Sequence, residues 1–195
     1  YRRIAAYIRE IIRGRRGNYM VFCPSYQYLG ELERILREGD PPFRLLVQKS
    51  RMDEGERESF LGEFSREDGG FSGEGSQNFR DGGGARDRAE GKGESLAALC
   101  VMGGIFGEGI DLKEERLIGV MVIGAGLPMV CAEQEILRRY FDDHGKAGFP
   151  YAYQYPGMNK VMQAAGRVIR TMKDEGVIAL LDQRFLQPDY LALFP

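Results

Sequence analysis

The sequence predicts an α/β fold in which a mostly parallel sheet carries helices on both faces. Three observations support this. Five short runs are almost continuously apolar: 19–23 (YMVFC), 43–48 (FRLLVQ), 96–102 (LAALCVM), 117–123 (LIGVMVI) and 176–182 (GVIALLD). Such runs suit strands buried on both faces, the usual state of a parallel sheet. Segments of helical periodicity separate them, as crossover connections require. Chemically distinctive residues also gather where the runs end, the edge at which open α/β sheets bind ligands.

At 195 residues the chain is long enough for one large domain with a sizeable core. No apolar run approaches the roughly 18 residues that span a bilayer, so no membrane partner is expected. The N-terminus, YRRIAAYIREIIRGRRG, lacks the apolar core and small-residue cleavage site of a signal peptide. A first residue of Tyr reads as an excised piece of something longer. The net charge of −2 argues against a nucleic-acid binder that uses its whole surface. Residues 51–95, however, carry seven Lys/Arg against twelve Asp/Glu, which leaves the remainder net basic and able to hold a polyanion locally. Cys23, Cys100 and Cys131 are odd in number and far apart. They fit neither a disulfide framework nor a zinc pattern, and they suit core packing in a reducing compartment, cytoplasmic or nuclear. His144 is the sole histidine, and beside Asp142 and Asp143 it reads as a surface or structural residue.

In chain order, residues 2–13 place Ile4, Ile8, Ile11 and Ile12 on one helical stripe. Gly17-Asn18 makes the turn into the first strand, and Pro24-Ser25-Tyr26 ends it. Ser25 suits the N-cap of a helix whose Leu29, Leu32 and Leu36 face the core. A hydroxyl at a positive helix end is also a natural phosphate contact. After the second strand, Asp53 with Glu56 forms a capping-box variant that opens a helix carrying Phe60, Leu61 and Phe64. Residues 66–94 are glycine-rich and acidic with few apolar side chains, and they read as a flexible insertion. The third strand runs into Gly103-Gly104-Ile105-Phe106-Gly107-Glu108-Gly109-Ile110-Asp111, where glycines let backbone amides approach a ligand beside two carboxylates. The fourth strand closes at Gly124, Gly126 and Pro128, and a helix over 132–141 follows. Tyr151, Tyr153 and Tyr155 alternate, either stacking on bases or packing beneath the next helix.

The chain is organised around that next helix, expected over Met158–Thr171 (MNKVMQAAGRVIRT). At about 100° per residue, Gln163, Gly166, Arg167 and Arg170 share one face, while Val161, Ala165, Val168 and Met172 share the other. Two guanidiniums one turn apart suit phosphate oxygens. A solvated arginine face is the plainer alternative.

Read together, these stretches resemble the second RecA-like motor domain of superfamily-2 helicases, specifically the XPD/DinG branch. Gln163-Ala-Ala-Gly166-Arg167-Val-Ile-Arg170 resembles helicase motif VI, and Asp174-Glu-Gly176 with Leu181-Asp182-Gln-Arg184-Phe185 is similar to its sequel. Gly107-Glu108-Gly109-Ile110-Asp111 resembles motif V, and Val21-Phe22-Cys23-Pro24-Ser25-Tyr26 resembles motif IV. The resemblance implies a RecA-like domain over 1–195, with 66–94 inserted in it. It also implies an ATP-driven translocase on single-stranded DNA, moving 5′ to 3′, whose first RecA-like domain holds ATP and Mg²⁺ and typically an iron–sulfur cluster. On this view Arg167 and Arg170, supported by Gln163, act as arginine fingers. Glu108, Gly109, Asp111 and Gly166 face the nucleotide, and Ser25, Tyr26, Gly104 and Gly107 contact DNA. The sequence has no GxxxxGK[ST] phosphate loop, no DEAH-like box and no four cluster cysteines, so this piece by itself is expected to be inactive. Two other readings remain open. One is a module of a nuclease or effector protein that holds nucleic acid without turnover. The other is an unrelated doubly wound domain for a nucleotide or phosphometabolite, although there the glycine-rich loop follows the first strand.

Overall fold

The computed structural model describes residues 1–39, 41–65, 94–106, 117–169 and 175–195. Five strands form one all-parallel sheet: β1 (Asn18–Cys23), β2 (Arg44–Val47), β3 (Leu96–Val101), β4 (Gly119–Ile123) and β5 (Val177–Leu181). Their spatial order is β2-β3-β1-β4-β5, so the first strand is the central one. All five expected strands are present; β1 begins one residue earlier than expected, and the other four are trimmed by a residue or two at their ends.

Helices cover both faces. Against one lie α1 (Arg2–Gly14) and α2 (Tyr26–Glu38), whose Ile8, Ile12, Leu29, Leu32 and Leu36 meet Tyr19, Val21 and Leu99 of the sheet. Against the other lie α3 (Glu54–Gly62) and α5 (Tyr155–Ala165), whose Phe60, Met158, Val161 and Ala164 meet Met20, Phe22 and Cys100. Alternate residues of β1 thus feed two separate cores, which explains why the strand is apolar throughout. Tyr19 lies over the start of β4, where a Cβ on Gly119 would sit 2.3 Å from its ring. The helix α4 (Ala132–Asp143) buries none of its residues, and a short helix α6 (Pro188–Leu191) closes the chain.

Local chemistry sets the helix starts. Ser25 Oγ accepts from Tyr28 N at 3.1 Å. Asp53 and Glu56 form a complete capping box, with Glu56 N donating to Asp53 Oδ1 at 2.8 Å and Asp53 N to Glu56 Oε2 at 3.2 Å. His144 caps the end of α4, its Nδ1 lying 2.7 Å from the Tyr140 carbonyl oxygen.

The alternating tyrosines lie on helix: Pro150–Gln154 is one π-helical turn that leads directly into α5. Tyr153 is buried there, and Tyr151 stacks on Phe141 at 4.5 Å between ring centroids. The helix expected over 158–171 begins earlier, at Tyr155, and stops at Ala165. Gly166 follows with φ −64° and ψ −4°, and the next amides reach back only three residues, Arg167 to Ala164 and Val168 to Ala165. Leaving the helix places Val168 against Gly176, where an added Cβ would meet its Cγ1 at 1.9 Å. Burying that side chain outweighs another helical turn for a glycine and two β-branched residues.

Candidate functional site

The structure sorts the candidate residues into two groups at opposite ends of α5. Gly157, in the first turn, packs on the loop beyond β4, with its Cβ position 2.6 Å from the Ala125 carbonyl oxygen. Val168, just past the last turn, packs beside Ile118 and Gly176 at the starts of β4 and β5. The helix therefore runs antiparallel to the strands, and its 11 residues span roughly 16 Å.

Ser25, Tyr26 and Gly104 come together at the strand C-terminal edge. Gln48, which follows β2 and is 3% exposed, joins Tyr26 to the β3 exit. Its Oε1 accepts from Val101 N at 2.8 Å, and its Nε2 donates to Tyr26 Oη at 2.9 Å. Gly104 sits over this amide, with its Cβ position 3.4 Å from Gln48 Nε2 and 3.1 Å from the Val101 carbonyl oxygen. Burial pushes the Tyr26 phenol upward, so the hydroxyl remains a neutral hydrogen-bonding group. Tyr26 and Ser25 are both exposed, although Ser25 already uses its oxygen as the cap of α2. This edge thus presents a hydroxyl, a phenol and open backbone, which together can bind phosphate and sugar groups.

Gln163, Gly166 and Arg167 lie toward the other end of α5. Gln163 and Gly166 are exposed, and Arg167 is half-buried. The Arg167 charge reaches Cys100 on β3, where it partly offsets the upward push of burial on that thiol. The guanidinium therefore leans over the sheet. Arg170, Gly107, Glu108, Gly109 and Asp111 lie outside the described residues, as do 66–93 of the expected insertion.

Sequence reasoning missed two residues. Gln48 was visible only as a polar residue ending an apolar run. Lys160 precedes Gln163 by three positions, which puts the two on one face of α5. A larger cleft, of about 890 Å³, lies between α1 and the C-terminal segment, lined by apolar residues such as Ile4, Phe185 and Phe194. It carries none of the candidate residues.

The chain belongs to the helicase C-terminal domain family, whose profile matches residues 8–195. It is of the XPD/DinG-like superfamily-2 kind. It is 31% identical over 187 residues to the regulator of telomere elongation helicase 1 of Bos taurus, a match covering 90% of this chain and 14% of that protein. It is 26% identical over 193 residues to the ATP-dependent DNA helicase CHL1 of Debaryomyces hansenii, covering 91% of this chain and 21% of that one. A solved apo XPD structure superposes with a TM-score of 0.66 at 19% identity, covering 96% of this chain and 33% of that one. The chain thus spans only 21% and 14% of the length of these two curated relatives. Among the described residues, no helix is long and apolar enough to cross a membrane, and no group of three or more His, Cys, Asp or Glu residues is placed to hold a metal ion.

Proposed function

We propose that this domain is the second motor half of an ATP-dependent helicase that translocates on single-stranded DNA in the 5′ to 3′ direction, in the cytoplasm or nucleus. The observation that carries this reading is that the loops after β1 and β3 carry residues suited to a nucleic-acid backbone, while α5 and the turn after it carry Gln163, Gly166 and Arg167, whose charge reaches over the sheet to Cys100. A rigid helix between strand contacts and nucleotide contacts lets the state of one bias the other.

In this reading ATP and Mg²⁺ are held by a first RecA-like domain, which supplies the phosphate loop that this sequence lacks. The bound triphosphate supplies the phosphoryl group and Mg²⁺ the charge that binds it. Arg167, with Arg170 beyond it, directs permanent positive charge to where phosphate oxygens gain negative charge. Gln163 and the open backbone at Gly166 line the approach. Glu108, Gly109 and Asp111 of motif V face the nucleotide, with Gly107 toward the strand. Residues 66–94 form an insertion outside the motor. The cysteines do not fit an iron–sulfur cluster in this domain: Cys23 and Cys100 are buried, and burial pushes the Cys23 thiol up to about 12.

The test is DNA-stimulated ATP hydrolysis in the full-length protein. Arg167→Ala or Arg170→Ala should lower the rate by about a thousandfold or more while strand affinity stays within about twofold. Lost strand binding with hydrolysis retained would overturn the assignment. A full-length protein that holds strands but shows no hydrolysis would favour the non-hydrolysing binding module.

A further inference from the structure

Beside the Ser25–Tyr26–Gly104 edge, strands β1, β3 and β4 end around a cleft of about 250 Å³. The loop Gly124–Pro128 lines it, Pro24 and Met102 flank it, and Lys160 and Arg184 reach into it. Gly126 has a φ of 65°, and a Cβ there would lie 2.7 Å from the Gly157 carbonyl oxygen and 2.8 Å from Met102 Sδ. Only glycine lets this loop pack so closely on α5.

The two cations differ in what they have left to offer. Arg184 is held by Asp182, with Nε donating to Oδ1 at 2.9 Å and Nη2 to Oδ2 at 2.7 Å, so its charge is largely matched. Lys160 is half-buried, and among the described residues it has no ion pair or hydrogen bond. Its methylenes lie along the β3 exit, where a Cβ on Gly103 would sit 3.4 Å from Cδ and Cε and 3.6 Å from Nζ. A half-desolvated ammonium beside open backbone, with the other cation of the cleft already neutralised, is a place for one anionic oxygen group.

We propose that Lys160 and the Gly124–Pro128 cleft form a phosphate subsite for the backbone of a nucleic-acid strand, continuing the edge begun by Ser25, Tyr26 and Gly104. This rests on the strand-binding reading of that edge. The subsite holds one phosphodiester by charge and reads no base, so it sets where the strand runs and leaves sequence preference untouched.

The experiment is fluorescence-anisotropy titration of this chain with a labelled oligothymidylate across a salt series, comparing wild type with Lys160→Ala and Lys160→Arg. Alanine should weaken binding about threefold to tenfold at low salt and reduce the slope of log affinity against log salt by about 0.7, one phosphate's worth on a single strand. Arginine should restore both. Unchanged melting temperatures for the two variants would show that the loss is not unfolding. A wild type that binds strands and an alanine variant with the same affinity and slope would overturn the subsite and leave the strand reading standing. A wild type that binds no strand would overturn that reading and the subsite with it. A parallel titration with ATP separates nucleotide phosphate from strand phosphate: loss of ATP binding in Lys160→Ala with strand binding intact would overturn the strand assignment.

Discussion

Gln48 shows how much depends on one side chain at this edge. It is almost wholly enclosed, and both of its amide atoms are committed, one to the backbone of β3 and one to Tyr26. Gln48→Leu should fill the space but leave Val101 N unpaired, at a cost of about 1–3 kcal/mol in urea unfolding. Tyr26→Phe leaves the β3 bond intact and removes the bond from Gln48 with the longer one to the Lys49 carbonyl, both at an exposed phenol, and should cost about 1 kcal/mol or less. Equal losses in the two variants would show that the β3 contact is not the anchor. The sequence showed Ser25, Tyr26 and Gly104 as candidates because each ends or follows a strand. It did not show Gln48, because its importance depends on β2 lying next to β3, a pairing that no local pattern encodes.

At the scale of elements, α4 stands out because it packs none of its residues into a core, and Ile136 is 67% exposed. Polar ties hold it in place. Tyr153 Oη donates to Glu135 Oε1 at 2.7 Å and Gly148 N donates to Asp142 Oδ1 at 2.7 Å, while within the helix Arg138 donates to Glu135 Oε2 at 3.0 Å. The Arg138 and Tyr153 bonds hold the Glu135 carboxyl below the usual carboxylate range. A depressed carboxylate contributes in full above its unfolded pKa, about 4.3 for Glu, and that contribution is lost as pH falls through the lower folded value. Amide exchange in α4 should therefore speed up on acidification across that window. Tyr153→Phe should speed it at neutral pH and flatten the acid response; an unchanged acid response would place the tie elsewhere. Helix starts were legible because caps are local, as at Ser25 and Asp53. The end of α5 was not, because burial of Val168 on Gly176, a tertiary contact, sets it.

Across the whole molecule, composition and strand pattern were enough to anticipate a parallel sheet between two helical layers, since strands buried on both sides have no polar face to hide. The strand order was not legible, because apolar runs of similar character do not say which lies beside which. One junction bears on residues 66–93: Gly17 N donates to Ser95 Oγ at 3.1 Å and Asn18 Nδ2 to the Phe64 carbonyl at 3.2 Å, so the flanks of that segment meet at a single dipeptide. Replacing 66–93 with a short glycine–serine bridge should shift Tm by no more than about 4 °C, since loop length enters closure entropy only logarithmically. A larger fall would show that the segment contributes to the core. The central position of β1 has a further consequence for how the molecule is made. Asn18 pairs with Leu96 on one side and Tyr19 with Gly119 on the other, so within this domain β1 is synthesised before either neighbour and waits for residues 96–123 to follow. Until then both of its edges are open to any passing strand, and folding must wait for long loops to close.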